Sequence, residues 1–180
     1  MSQVSIRRAG PDDAMTLARI GEATFRETFL EDFAIPYPAE DLAVFIPAAY
    51  GLEAFAAMIG DPAQAVWLAE CDGEAIAYAV AGPCGLPHPD ARREHGELKR
   101  LYVSRGHQSS GLGRRLFELT LEWLSARDAS VWLGVWSGNL KAQRFYARAG
   151  FVKTGEYEFP VGRWRDQEFI LRRHKPTLTD

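Results

Sequence analysis

The stretch HQSSGLGRRLFEL, His107 to Leu119, opens with small and polar residues and passes into a regular apolar pattern. From Leu112 onward, Leu112, Leu116, Leu119, Thr120, Trp123 and Leu124 fall on one helical face. Gly111 and Gly113 therefore stand at the mouth of a helix. Glycine costs about 1 kcal/mol against alanine inside a helix. Either the junction is a loose, glycine-tolerant one, or the backbone must approach something closely there. A helix N-terminus leaves backbone N–H groups without intrahelical partners, and the macrodipole adds positive character. Phosphate oxygens satisfy both. Ser109 and Ser110 offer further donors, and Arg114 and Arg115 add charge.

Three phosphate-binding patterns compete for this stretch. A P-loop requires G-x-x-x-x-G-K-[ST], and Leu112 stands where the lysine belongs. A dinucleotide fingerprint requires G-x-G-x-x-G, and Leu116 stands at the third glycine. The third pattern, Q/R-x-x-G-x-G/A after a strand, is complete as Gln108-Ser109-Ser110-Gly111-Leu112-Gly113. The alternating ELKRLYV, Glu97 to Val103, supplies the strand in front. SVWLGVW, Ser130 to Trp136, reads as a buried strand behind it. NLKAQRFYARAGF then reads as a short helix, with Asn139 as N-cap and Gly150 as C-cap.

Working outward, VSIRRAG (Val4 to Gly10) predicts a first strand. Pro11-Asp12-Asp13 starts a helix that runs from Ala14 to Leu30. Pro36 and Pro38 break the chain, and two short helices follow at Asp41–Ala49 and Leu52–Ile59. Ala65–Cys71 and Glu74–Ala81 flank Asp72-Gly73, a type I′ hairpin signal. A long Pro- and Gly-rich loop covers Gly82 to Gly96. Val152–Phe159 and Trp164–Arg172 are two closing strands about Gly162, and HKPTLTD reads as a frayed tail. The order, β-ααα-β-β-β-α-β-α-β-β, describes a mixed α/β single domain.

Composition narrows the function classes. The chain has 180 residues, 47% hydrophobic and 25% charged, which suits one globular domain. A net charge of −3 gives no general basic surface for nucleic acid. No secretory h-region opens the sequence, and no apolar run approaches the ~20 residues of a membrane span. Cys71 and Cys84 form no C-x-x-C pair, which fits a reducing, cytoplasmic setting. His88 and His95 lack metal-ligand spacing with another His or Cys, so no metal is expected. Trp123, Trp132 and Trp164 suit core and interface equally, which leaves a homodimer open.

The Gln108–Gly113 pattern resembles the acyl-CoA pyrophosphate site of the GNAT superfamily of N-acyltransferases. Asn139, Ala142, Phe145, Tyr146, Gly150 and Phe151 match the same superfamily's N-x-x-A-x-x-F-Y-x-x-x-G-F block. The resemblance implies an α/β GNAT fold over residues 1–173: a mixed, mostly antiparallel sheet of about seven strands, flanked by helices, with splayed central strands. Residues 174–180 would be a flexible tail. The implied cofactor is acetyl-CoA. Its pyrophosphate would lie on Gln108, Ser109, Ser110, Gly111, Leu112, Gly113 and Arg114. Its pantetheine would pair with the strand at Leu101, Tyr102 and Val103, and pass Asn139, Ala142, Phe145 and Tyr146. On spacing alone Phe145 and Tyr146 read as an aromatic core pair; the resemblance makes Tyr146 a general acid. A phenol with pKa near ~10 holds its proton at neutral pH and can donate it to a leaving thiolate whose conjugate acid is near ~8.5. Glu97 is a candidate base, directly or through water, and an exposed strand-end carboxylate is the plainer alternative.

A closer similarity, to bacterial spermidine/spermine-type acetyltransferases, lies in EATFRETF (Glu22–Phe29), ELKRLYV, WLGVW and GEYEFPVG. It implies an acceptor pocket at Phe25, Glu27, Phe29 and Tyr37, with Glu22, Glu31, Asp32 and Glu97 as further carboxylates for a polyamine. The leading expectation is direct sequential transfer of acetyl from acetyl-CoA to a primary amine of a small molecule. The alternatives are a non-catalytic acyl-CoA-binding regulatory module, and a protein N-terminal or lysine acetyltransferase.

Overall fold

The computed structural model describes residues 4–126 and 130–174. Asp72 and Gly73 take positive φ, 51° and 84°, as a type I′ turn requires. They fold strand β2 (Ala65–Cys71) back on β3 (Glu74–Pro83). With β1 (Val4–Arg8), β4 (Gly96–Val103), β5 (Ser130–Trp136), β6 (Val152–Val161) and β7 (Trp164–His174), they form one seven-stranded sheet. Its order is β1-β2-β3-β4-β5-β7-β6. Every neighbouring pair is antiparallel except β4–β5.

That parallel pair is joined only at Gly96–Val131 and Glu97–Trp132. Beyond it β4 stays on β3, and β5 stays on β7, so the sheet opens between them. A register shift leaves Lys99 as an extra residue on β4, between the Arg100–Val80 and Leu98–Ala81 pairs. Such a bulge bends and twists its strand. The expected splay of central strands is present.

Helices cover both faces. α1 (Ala14–Phe25), α2 (Ala39–Tyr50) and α3 (Leu52–Gly60) pack on one, with Leu17, Phe55, Leu68, Tyr78 and Val80 in the core. α4 (Leu112–Ser125) and α5 (Leu140–Arg148) pack on the other, with Ala79, Leu98, Leu116, Leu124 and Leu133. The helix expected through Leu30 is α-helical only to Phe25 and continues as a π-helix from Arg26 to Asp32. The wider turns keep Phe29 and Phe33 inward, 6.4 Å from the Tyr102 ring and 4.6 Å from the Trp136 ring.

Other details depart from the sequence reading. Leu119 is 41% exposed, and Phe117 is buried instead, against Phe145, Tyr146 and Phe151. The last hairpin is longer than expected at both ends, and His174 pairs with Ser130 rather than joining a tail. Residues 175–180 lie outside the described residues. Trp132 is fully buried within the chain, Trp123 packs on Trp67 and Trp164 on Tyr37. Ala39–Gly60 holds a window of mean hydropathy 1.8, more apolar than the sequence reading allowed. Gly51, in extended backbone at φ −72° and ψ 169°, divides it into helices of 12 and 9 residues. Neither alone has the ~20 residues of a span.

Leu116→Ala should cost about 2–5 kcal/mol, because Leu116 is fully buried between α4 and the sheet. Leu119→Ala on the same helix should stay within about 0.5 kcal/mol. Urea unfolding of the two variants checks this; equal losses would contradict the assigned face.

Candidate active site

After β4 the chain makes one turn at Arg105–His107 and enters a loop with two left-handed residues, Ser109 (φ 64°) and Gly111 (φ 82°). Gly111 is the N-cap of α4. A Cβ there would meet nothing within 4 Å, so its conformation sets the residue type and the space beside it stays open. Gly113 faces Val103 of β4, where a Cβ would sit 3.4 Å away, at ordinary contact distance. The first intrahelical bond runs from Arg115 N–H to Gly111 C=O (3.1 Å). The Gly113 and Arg114 amides therefore precede the helical ladder.

The loop is pinned from two sides. Gln108 donates from Nε2 to Val103 C=O (3.2 Å), and the Ser110 hydroxyl donates to His107 C=O (2.7 Å). Arg105 locks it to the π-helix. Its N–H donates to Glu27 Oε2 (3.0 Å), and its guanidinium pairs with Glu31 (2.9 Å) and Asp32 (2.8 Å).

A cavity of about 650 Å³ opens between this loop, β4 and α5. Of the expected cofactor residues, Leu101, Tyr102, Val103, Gln108 and Ser109 line it, as do Gly111, Gly113 and Arg114. From α5 and its cap come Asn139, Ala142, Phe145 and Tyr146. Ser110 and Leu112 do not line it. Ser110 spends its hydroxyl on the loop itself, and Leu112 turns its side chain into the core. Thr28, Asp32, Phe33, Gly138, Leu140 and Lys141 were missed as lining. They come from the π-helix and from the chain around the Asn139 cap, where no spacing pattern advertises a wall. Asn139 caps α5 as expected, accepting Ala142 N–H (3.0 Å).

Acetyl-CoA fits this cavity on three counts. Its pyrophosphate end has the free amides of Gly113 and Arg114 and the open space beside Gly111. Its middle has the β4 edge at Leu101–Val103, left without a strand partner by the splay. Its apolar wall is Ala142 and Phe145. Tyr146 stands 9% exposed beside the rings of Phe117, Phe145 and Phe151, all within 5.9 Å between centroids. Burial pushes its phenol above the ordinary tyrosine range, so it keeps its proton.

A second cavity, of about 280 Å³, lies on the α1–α3 face of the same opening and shares Tyr102 with the first. Phe25, Phe29, Tyr37 and Glu97, which the sequence reading grouped together, all line it. Glu27 is in neither cavity; its carboxylate is occupied at Arg105. The pocket's other polar walls were missed: Arg100 on β4, Tyr157 on β6, and Asp166 and Glu168 on β7. A signal existed for the last two. Asp166 and Glu168 stand two apart in a strand whose next same-face residue is Ile170, fully buried.

These carboxylates are unequal. Glu97 Oε2 accepts Gly85 N–H (2.7 Å) and pairs with Lys99 (3.2 Å). Asp166 is held by the Tyr37 hydroxyl and by Trp164 Nε1 (2.9 Å). Glu168 is held by the Tyr157 hydroxyl (2.7 Å). Burial pushes both Asp166 and Glu168 above the usual carboxylate range. His95 is a structural anchor: its Nδ1 accepts Trp132 Nε1–H (3.0 Å) and Arg92 N–H (3.2 Å).

With this geometry in place, comparison with known proteins assigns the class. The chain matches the acetyltransferase (GNAT) family over residues 23–151 and belongs to it. It is 33% identical over 157 residues to an uncharacterized N-acetyltransferase of Lactobacillus delbrueckii subsp. lactis, covering 84% of this chain and 88% of that one. It is also 33% identical over 168 residues to an uncharacterized N-acetyltransferase of Mycobacterium tuberculosis, covering 89% and 97%. A spermine/spermidine N(1)-acetyltransferase of Bacillus subtilis is more distant, 26% identical over 92 residues, 49% of this chain and 59% of its own. The fold is shared with the PaiA N-acetyltransferase of Thermoplasma acidophilum, crystallised in complex with coenzyme A. The TM-score is 0.73 at 18% identity, over 96% and 99% of the two chains. The protein is an N-acetyltransferase with acetyl-CoA as donor.

Glu168→Gln should raise the melting temperature at neutral pH by a few degrees. The wild-type carboxyl has a raised folded pKa, so its contribution to stability falls as pH rises from the unfolded value through the folded one. The difference between variant and wild type should vanish as pH is lowered below the unfolded value. A less stable variant at neutral pH would show that the Tyr157 bond outweighs the burial of charge.

Proposed function

We propose that the enzyme acetylates a primary amine of a small cytoplasmic molecule by direct transfer, with donor and acceptor bound together. The observation that carries this reading is the pair of cavities meeting at Tyr102. A donor in the larger one and an amine in the smaller one would converge through the opening between β4 and β5, with no covalent relay through either cysteine. The small volume, about 280 Å³, favours a small amine over a peptide. The carboxylates suit a cationic acceptor, a polyamine among them.

Glu168 is the better base of the acceptor pocket. It meets no cation among the described residues, whereas Glu97 is fixed by a cation and an amide N–H. Glu168 takes one proton from the acceptor ammonium and passes it to solvent. Tyr146 gives its proton to the sulfur as the C–N bond forms and the C–S bond breaks. It recovers a proton from the new amide nitrogen through solvent. Glu97 acts as a positioning residue at the foot of the opening, holding Gly85 and Lys99. The π-helix and Arg105 hold the pyrophosphate loop against the acceptor side, so binding of the two substrates shares one support.

Tyr146→Phe should lower kcat by about 10²–10⁴-fold, the usual contribution of a positioned acid, while the KM for acetyl-CoA moves little. Steady-state thiol release checks this. Unchanged turnover would remove Tyr146 from the chemistry.

A further inference from the structure

The acceptor pocket holds charges of both signs that lack partners of opposite sign among the described residues. Asp166 and Glu168, on β7, are held only by neutral donors: Tyr37, Trp164 and Tyr157. Arg100, on β4, lies across the same cavity. Its guanidinium sits 4.4 Å from the centre of the Tyr50 ring and 5.5 Å from that of Phe55. Its Nη1 is buried and makes no hydrogen bond. A buried guanidinium N–H left unpaired is costly, and the planar fork matches a carboxylate. By contrast, the pocket's other two charges, Glu97 and Lys99, satisfy each other.

The two unsatisfied halves are separated by β5. Arg100 lies past the last β4–β5 pair, so the gap between their backbones exceeds the ~10 Å of two regular strand spacings. Between them β5 presents Gly134. A Cβ there would come within 2.8 Å of Glu168 Oε2 and 3.0 Å of the Tyr157 hydroxyl, so the glycine leaves this floor clear. The space is bounded by aromatic rings, Phe25, Phe29 and Phe159 among them.

We infer that the acceptor is zwitterionic: a small amino carboxylate whose ammonium sits on the Asp166–Glu168 side and whose carboxylate sits on Arg100. This rests on the small-amine reading above and narrows it. The ligand would complete both half salt bridges at once and leave Arg100 Nη1 no longer orphaned. A wholly cationic polyamine would instead bring positive charge against Arg100.

The test uses the purified full chain with acetyl-CoA and a thiol reagent. Acceptors are offered as pairs: a set of α- and ω-amino acids, each beside its own carboxamide, with spermidine as the polyamine. The carboxylate forms are expected to exceed their carboxamides, and spermidine, by at least ten-fold in kcat/KM. Arg100→Gln should collapse that ratio toward one, and Arg100→Lys should retain part of it. An acetyl-CoA-dependent rise in melting temperature verifies that each variant keeps its donor cavity, and the wild-type ratio decides the matter even where Arg100→Gln does not fold. Carboxamides or spermidine used as well as the carboxylates would overturn the inference alone, as would a ratio that survives in Arg100→Gln. Thiol release with none of these amines would overturn the small-amine reading itself, and this inference with it.

Discussion

Two residue pairs, Gly96–Val131 and Glu97–Trp132, join β4 to β5, and both cavities depend on where that pairing stops. A continuous sheet would use the backbone groups of Leu101–Val103 in a ladder and would wall one face off from the other. Parted, the strands leave an unpaired edge on the donor side and a passage at Tyr102. The parting has local causes. Lys99 bulges from β4, and Gly96 packs so closely under Leu124 that a Cβ would come within 2.8 Å of it. α4 therefore presses on the closed end of the pair while the other end diverges.

Aromatic side chains keep the opening from collapsing. Phe29 meets Tyr102 and Phe33 meets Trp136, so the π-helix and the residue that caps it wedge residues of β4 and β5 from one side. Single-turn π segments occur often at functional sites, and here the wide turn also delivers Glu27, Glu31 and Asp32 to Arg105. The same seven residues thus touch the acceptor wall, the donor cavity and the pyrophosphate loop. On the other face Tyr146 and Phe145 close the cavity against Phe117.

The walls of the larger cavity were readable from the sequence because their physics is local. A glycine at φ 82° opening a helix, a glycine facing the preceding strand, and an asparagine cap each act within a few residues and leave fixed spacings. The sheet's hairpins were readable for the same reason, through Asp72-Gly73 and the alternation of β4. Helix faces were less so. Phe117 and Leu119 stand two residues apart, on different faces of α4, and the packing of α5 decides which of them is buried. The smaller cavity was partly legible, in Phe25, Phe29 and Tyr37. Its charges come from β4, β6 and β7, and only the fold brings Arg100 to the same cavity as Asp166 and Glu168. Glu27 looked like an acceptor carboxylate on its helix, yet a loop 78 residues away claims it. Nor does the residue pattern of Arg26–Asp32 announce a π-helix; its wide turns are seen only against the aromatic residues they meet.

Hydrogen exchange of the backbone amides, with and without acetyl-CoA, tests the role of the parted strands most directly. If the donor lies in the opening, protection should rise at Leu101–Val103 and at Gly111–Arg114, while the β6–β7 hairpin is little changed. Saturating acetyl-CoA that leaves those two segments exchanging as before, and protects residues elsewhere, would contradict it.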